Sequence, residues 1–214
     1  MKAVAQKENV VSNEATFEQL ESYAKKAADA VIKGLEKTDL DGYKRFLNMM
    51  YHYTLKSGDK LKAISDNSPN QELRDYFHHM YLEERNHYML AKQDLKGFGL
   101  VPNAETPQEV TDMDKFWISL QGGHVNGFLG ALYVYENIAD KVGDHVKAML
   151  QRLNIEKDQR RWLSIHVEVD LDHGAEVKEV LEKYLAENPE AALASAKIAC
   201  DRWIAVSVTP FLKA

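Results

Sequence analysis

A single cysteine, Cys200, and only five prolines occur in the 214 residues. One cysteine excludes an internal disulfide, and the N-terminus M-K-A-V-A-Q-K-E-N lacks the apolar run of a secretory signal, so the expected setting is a reducing cytoplasm. No window approaches the roughly 20 uncharged apolar residues of a membrane span, and no membrane association is expected. Neither sign of charge dominates: 27 Lys and Arg stand against 33 Asp and Glu, giving a formal charge of -6. With no basic cluster in the chain, nucleic acid is not expected as a partner. Strand-type alternation, internal repeats and low-complexity segments are missing as well.

What remains is an ordinary globular composition, 45% apolar and 28% charged, long enough to bury the core of one domain. Residues 1–13 are polar and unpatterned and are set apart as an N-terminal extension; 14–214 form the domain. Thr16-Phe-Glu-Gln19 reads as a capping box, followed by Phe17, Leu20, Ala24, Ala28, Val31 and Leu35 at helical spacing. Asp39 to Gly42 ends this helix. A second pattern runs through Phe46, Met50, Tyr53 and Leu61 toward Ile64 and contains no glutamate. Asp66 to Asn70 punctuates, and a third runs from Leu73 to Leu95 and stops at Gly97 and Gly99. A fourth, from about Met113 to Ala139, carries Gly122, Gly123, Gly127 and Gly130, each costing up to about 1 kcal/mol relative to alanine. A kink, a close approach or room for an elongated substrate would account for them. A short helix over about 145–153, another through His166 and His173, and a last one after Asn188-Pro189 bring the total to about seven. The class is all-α, a single-domain helical bundle.

Chemistry concentrates on three of these helices. In H-V-E-V-D-L-D-H, the spacing of His166, Asp170 and His173 places the three side chains within roughly 60° of one another on a helix. They continue a stripe of Trp162, Val177 and Tyr184 that periodicity assigns to the core. Glu84 and His87 form E-x-x-H on the third helix, and Glu136 is the one charge on the apolar stripe of the fourth. Burying three carboxylates without compensation would cost several kcal/mol each. Bound metal supplies that compensation, and a mixed nitrogen and oxygen set with spare positions suits iron or manganese better than structural zinc. The other histidines read as surface or hydrogen-bonded residues, with His52 and His124 within reach of a pocket. Tyrosines, methionines and Cys200 read as packing. For a carboxylate substrate the candidate clamps are Arg85, Lys147, Arg161 and Arg202.

The order and spacing of Glu84, His87, Glu136, His166, Asp170 and His173 resemble those of the haem-oxygenase-like diiron oxidases and oxygenases, over nearly the whole chain. The resemblance implies a seven-helix bundle whose core helices hold two iron ions on these six residues. It further implies dioxygen activation to oxidise a small carboxylic acid or amine by desaturation, carbon–carbon cleavage or N-oxygenation, in a homodimer. Some members carry another carboxylate one or two turns before the first histidine, where this chain has Met80 and Phe77. A ferritin-like set lacks its first glutamate here, a haem oxygenase its early histidine, and Cys200 lies too late for the nucleophile of a TenA-type thiaminase. Two alternatives of the same fold stand beside the diiron reading: a metal-stabilised interaction protein, and a metal-free thiaminase-like enzyme.

Overall fold

The structure, a computed structural model, describes the backbone of residues 2–168 and 171–212 and the side chains of residues 13–167 and 172–212. Among the described residues all regular structure is helical: α1 (Lys2–Lys37), α2 (Leu40–Thr54), α3 (Ser57–Asn67), α4 (Gln71–Glu84), α5 (His87–Gly97), α6 (Gln108–Leu120), α7 (Val125–Glu136), α8 (Ala139–Arg152), α9 (Arg161–Glu168), α10 (Leu171–Tyr184) and α11 (Pro189–Leu212). Among the described residues no helix is long and apolar enough to cross a membrane.

Joining α2 to α3, α4 to α5, α6 to α7 and α9 to α10 recovers the seven stretches that periodicity picks out. The third of these is interrupted between Glu84 and His87, inside the E-x-x-H pair. The first helix begins at Lys2, so Thr16 lies within it and does not start it; residues 2–13 contain no proline or glycine to stop a helix. Other boundaries follow their caps. The Asp39 side chain accepts from the Gly42 N–H at 2.7 Å, Asn70 from Leu73 at 3.0 Å and Asn188 from Ala191 at 3.0 Å.

Helix α11 is the hub, packing against α7, α1, α2 and α6. Its inward positions are small, Ala192, Ser195, Ala196, Ala199 and Cys200, and the glycines of α7 meet them. A Cβ on Gly130 would stand 2.6 Å from the Ala192 Cα, so this glycine exists to let two backbones approach. Helix packing therefore explains Gly127 and Gly130, and neither lines the main cavity. Cys200 is fully buried in the core.

Candidate metal centre

Three interruptions of the helical chain border one cavity. Thr54 and Ser57 flank the first, Glu84 ends α4, and Glu136 ends α7 with Ile138 and Ala139 following; these residues line it together with His166 and Val167 of α9. Its empty space, counted out to the mouth, is about 1140 Å³. The C-termini of α4 and α7 therefore converge here. Their orphan carbonyls and dipoles place negative potential at the spot where Glu84 and Glu136 add two carboxylates, an arrangement that favours a cation.

Glu84, His87 and His166 each offer a donor atom, and these atoms lie within 4.8 Å of one another. Glu84 Oε2 is 2.8 Å from His87 Nδ1, and the His87 and His166 rings meet edge to face at 4.9 Å. A second group adjoins it: His173 Nδ1 is 3.6 Å from Glu136 Oε2, and its Nε2 is 3.1 Å from Glu83 Oε2. The Glu84 and Glu136 side chains are 14% and 15% exposed, and their ion pairs among the described residues are with histidines. Burial pushes Glu136 above the usual carboxylate range, and the Glu84 charge adds to this while His173 opposes it. Burial would raise Glu84 too, but the His87 hydrogen bond and the charges of His87, His166 and His173 hold it below its ordinary value. Asp170 lies outside the described residues.

The supports are specific. Asp94 of α5, with no exposed surface, accepts from the backbone N–H of Arg161 and of Trp162, each at 2.8 Å, and so ties down the start of α9. One turn later His166 Nδ1 sits 2.6 Å from the Trp162 carbonyl, and its ring stacks on the Trp162 indole at 3.8 Å. Donation from Nδ1–H to that carbonyl leaves the lone pair on Nε2, the tautomer a metal ligand needs. On the opposite side Gly174 lets α10 close against the end of α7, since a Cβ there would stand 3.1 Å from the Glu136 carbonyl.

Five of the six sequence-predicted residues are thus brought into two adjoining groups. Two participants were not foreseen. Glu83 is one: on an unbroken helix it would point about 100° away from Glu84, and the helix ends at this pair. Lys60 is the other. It lines the cavity, whereas the anticipated clamps do not: Arg161 pairs with Asp94, Arg202 with Asp112, Lys147 with Asp144, and Arg85 lies over the Tyr81 ring. Its signal was available, because Lys60 falls on the apolar stripe of Tyr53 and Ile64, as Glu136 does on its own. His52 is one of the hydrogen-bonded histidines: its Nε2 is 3.1 Å from the Asn103 carbonyl and its Nδ1 3.4 Å from Thr106, so it fastens the loop after α5, and it does not line the cavity. His124 flanks the start of α7 and likewise does not line it.

The donor chemistry, carboxylates and imidazoles at the ends of α4 and α7 and on α9, fits iron or manganese. Comparison with known proteins agrees at the level of fold. A domain of unknown function with a heme oxygenase-like fold from Shewanella denitrificans OS217 superposes with a TM-score of 0.76 at 15% identity, covering 94% of this chain and 90% of that one. A TenA homologue from Pseudomonas syringae pv. tomato DC3000 gives 0.71 at 11% identity, covering 92% and 93%. No curated protein matches. The model of one family, described as iron-containing redox enzymes, matches residues 44–204, a span that contains every residue of the two groups; to that family the chain belongs.

Proposed function

We propose that this protein is a non-haem diiron oxidase or oxygenase, in which Glu84, His87 and His166 serve one iron, Glu136, His173 and Asp170 the other, and a small organic acid or amine is oxidised with dioxygen. The observation that carries this reading is the meeting of Glu84, His87 and His166 within 4.8 Å beside the Glu136–His173 pair, on converging helix ends. When bound, the two irons supply the redox equivalents for dioxygen reduction and a template for the substrate. The chain does the rest. The Trp162 carbonyl and indole hold His166 in one tautomer and one plane. Tyr53, its hydroxyl kept protonated by burial and by the charges of Glu136 and Glu84, presents a neutral donor toward the centre. An aromatic wall of Trp117, Phe128, Tyr135 and Trp203 keeps water from one side.

Cys200, buried on α11 and absent from the cavity lining, offers no nucleophile for the thiaminase-like alternative. Anaerobic loading with Fe(II), removal of unbound metal and iron determination test the proposal. About two irons per chain, reduced by half or more in His166→Ala, and dioxygen uptake accelerated by a particular acid or amine are expected. A protein that retains no iron, with His166→Ala indistinguishable from wild type, overturns it in favour of the metal-free alternative. Iron retained without uptake on any acid or amine favours a metal-stabilised interaction protein.

A further inference from the structure

The cavity has a polar pole and an apolar one, and the candidate centre lies between them. On the apolar side Phe211 stacks on Phe46 at 4.9 Å, Phe46 meets Trp162 edge-on at 5.6 Å, and Trp162 stacks on His166; Val31, Leu35, Val142 and Val146 complete that wall. On the other side Tyr53 is the link. Its hydroxyl feels Glu136, Glu84 and Asp114, and its ring lies 5.1 Å beneath the ammonium of Lys60. Beyond it Thr54, Ser57 and Lys60 face the cavity.

Lys60 is an unusual residue to find there. Its side chain is 7% exposed, and its Nζ is 2.7 Å from Asp114 Oδ1. The second oxygen of Asp114 is 3.6 Å from the exposed Lys56, so two ammonium groups share this carboxylate, while the charge of Asp59 acts on Lys60 from its own helix. Asp114 does not line the cavity; Lys60 does, and among the described residues that line it Lys60 is the one cation. An ammonium has three protons to give, and Asp114 takes one, with the Tyr53 carbonyl at a long 3.5 Å. Burial lowers the ammonium's pKa, a cost that a second anion on the cavity side would offset.

We propose that Lys60 is the specificity-determining residue of this site: it binds the carboxylate head of an aliphatic acid whose tail runs past Glu84 and His166 toward Phe46 and Phe211. Between the acids and amines of the function proposed above, on which this rests for the cavity being the substrate site, the choice falls on acids. An amine would need a carboxylate facing the cavity at the polar pole, and Asp114 is turned onto the two lysines.

All three tryptophans of the chain, Trp117, Trp162 and Trp203, line the cavity, so intrinsic fluorescence reports its occupancy directly. The test titrates metal-free wild-type protein with octanoate, octanol and octylamine. Octanoate is expected to change the emission saturably and to bind at least about tenfold more tightly than the alcohol or the amine, the margin of one charge-assisted hydrogen bond. In Lys60→Met, and in Lys60→Met/Asp114→Leu, which replaces the buried pair with side chains of similar volume, that preference is expected to vanish. Equal binding of the three probes by wild type, no saturable binding of octanoate, or a preference retained in the folded double variant overturns the proposal. Iron retention in the same preparations is read separately. Iron loading without carboxylate preference fells this inference alone, and carboxylate preference without iron fells only the diiron reading.

Discussion

Asp94 shows how one side chain outside the cavity lining decides the geometry inside it. Its two oxygens each accept a backbone N–H from the first turn of α9, two donors that no intrahelical carbonyl can satisfy. Burial raises its pKa, so the fold tolerates an unfavourable ionisation to keep these bonds. Asp94→Ala would orphan both N–H groups and is expected to cost about 2–4 kcal/mol in urea unfolding. It is also expected to reduce iron retention, because His166 hangs one turn below that cap. His166→Ala should separate the two effects. The ring is half-buried and stacked on Trp162, so its removal costs about 1–2 kcal/mol or less, while iron retention falls by half or more. A variant that keeps full iron content would remove His166 from the site.

At the scale of elements, the helix type, the order of the seven stretches and most caps were legible, because a 3.6-residue apolar period and Asp39, Asn70 and Asn188 are local signals. The interruptions at 55–56, 85–86 and 137–138 were not. Nothing in Leu55-Lys56, Arg85-Asn86 or Asn137-Ile138 breaks a helix by itself, since none of these pairs contains proline or glycine. Glu83 was invisible for the same reason, whereas Lys60, a lone charge on an apolar stripe, was readable by the rule that found Glu136. Two glycines separate packing from site construction. Gly130→Ala drives a Cβ into the Ala192 backbone and is expected to cost about 2–3 kcal/mol without altering the iron bound per folded chain. Gly174→Ala meets the Asn137 side chain at 2.9 Å and the Glu136 carbonyl at 3.1 Å. The first can swing away, so the stability loss is about 1 kcal/mol, but α10 shifts, His173 leaves Glu136, and iron retention drops more than in Gly130→Ala. Thermal unfolding paired with iron determination on both variants reads this crossing pattern.

The whole molecule holds a centre that works against its own stability while metal-free. The C-termini of α4 and α7 and two carboxylates put like potential in one place, and the cost is visible at Glu136, which burial and Glu84 push above the usual carboxylate range. An acid whose folded pKa lies above its unfolded one binds protons more tightly when folded. Metal-free stability is therefore lost as pH rises through the interval between those two values, and the loss is complete above it. Glu84, held below its ordinary value by His87, acts oppositely and stabilises once pH exceeds its unfolded value. Glu136→Gln keeps an acceptor for His173 and removes the ionisation. At neutral pH the metal-free Glu136→Gln protein is expected to be more stable than metal-free wild type, with the difference closing as pH falls into the carboxylate range. Fe(II) should reverse the ranking, since only wild type offers both carboxylates, and a ligand at a hundredfold its dissociation constant adds about 2.7 kcal/mol. Urea unfolding of both proteins across pH, with and without Fe(II) under anaerobic conditions, measures all four terms. A metal-free Glu136→Gln protein less stable than wild type at neutral pH would mean that Glu136 is a structural ion-pair partner of His173 and not a residue kept for metal.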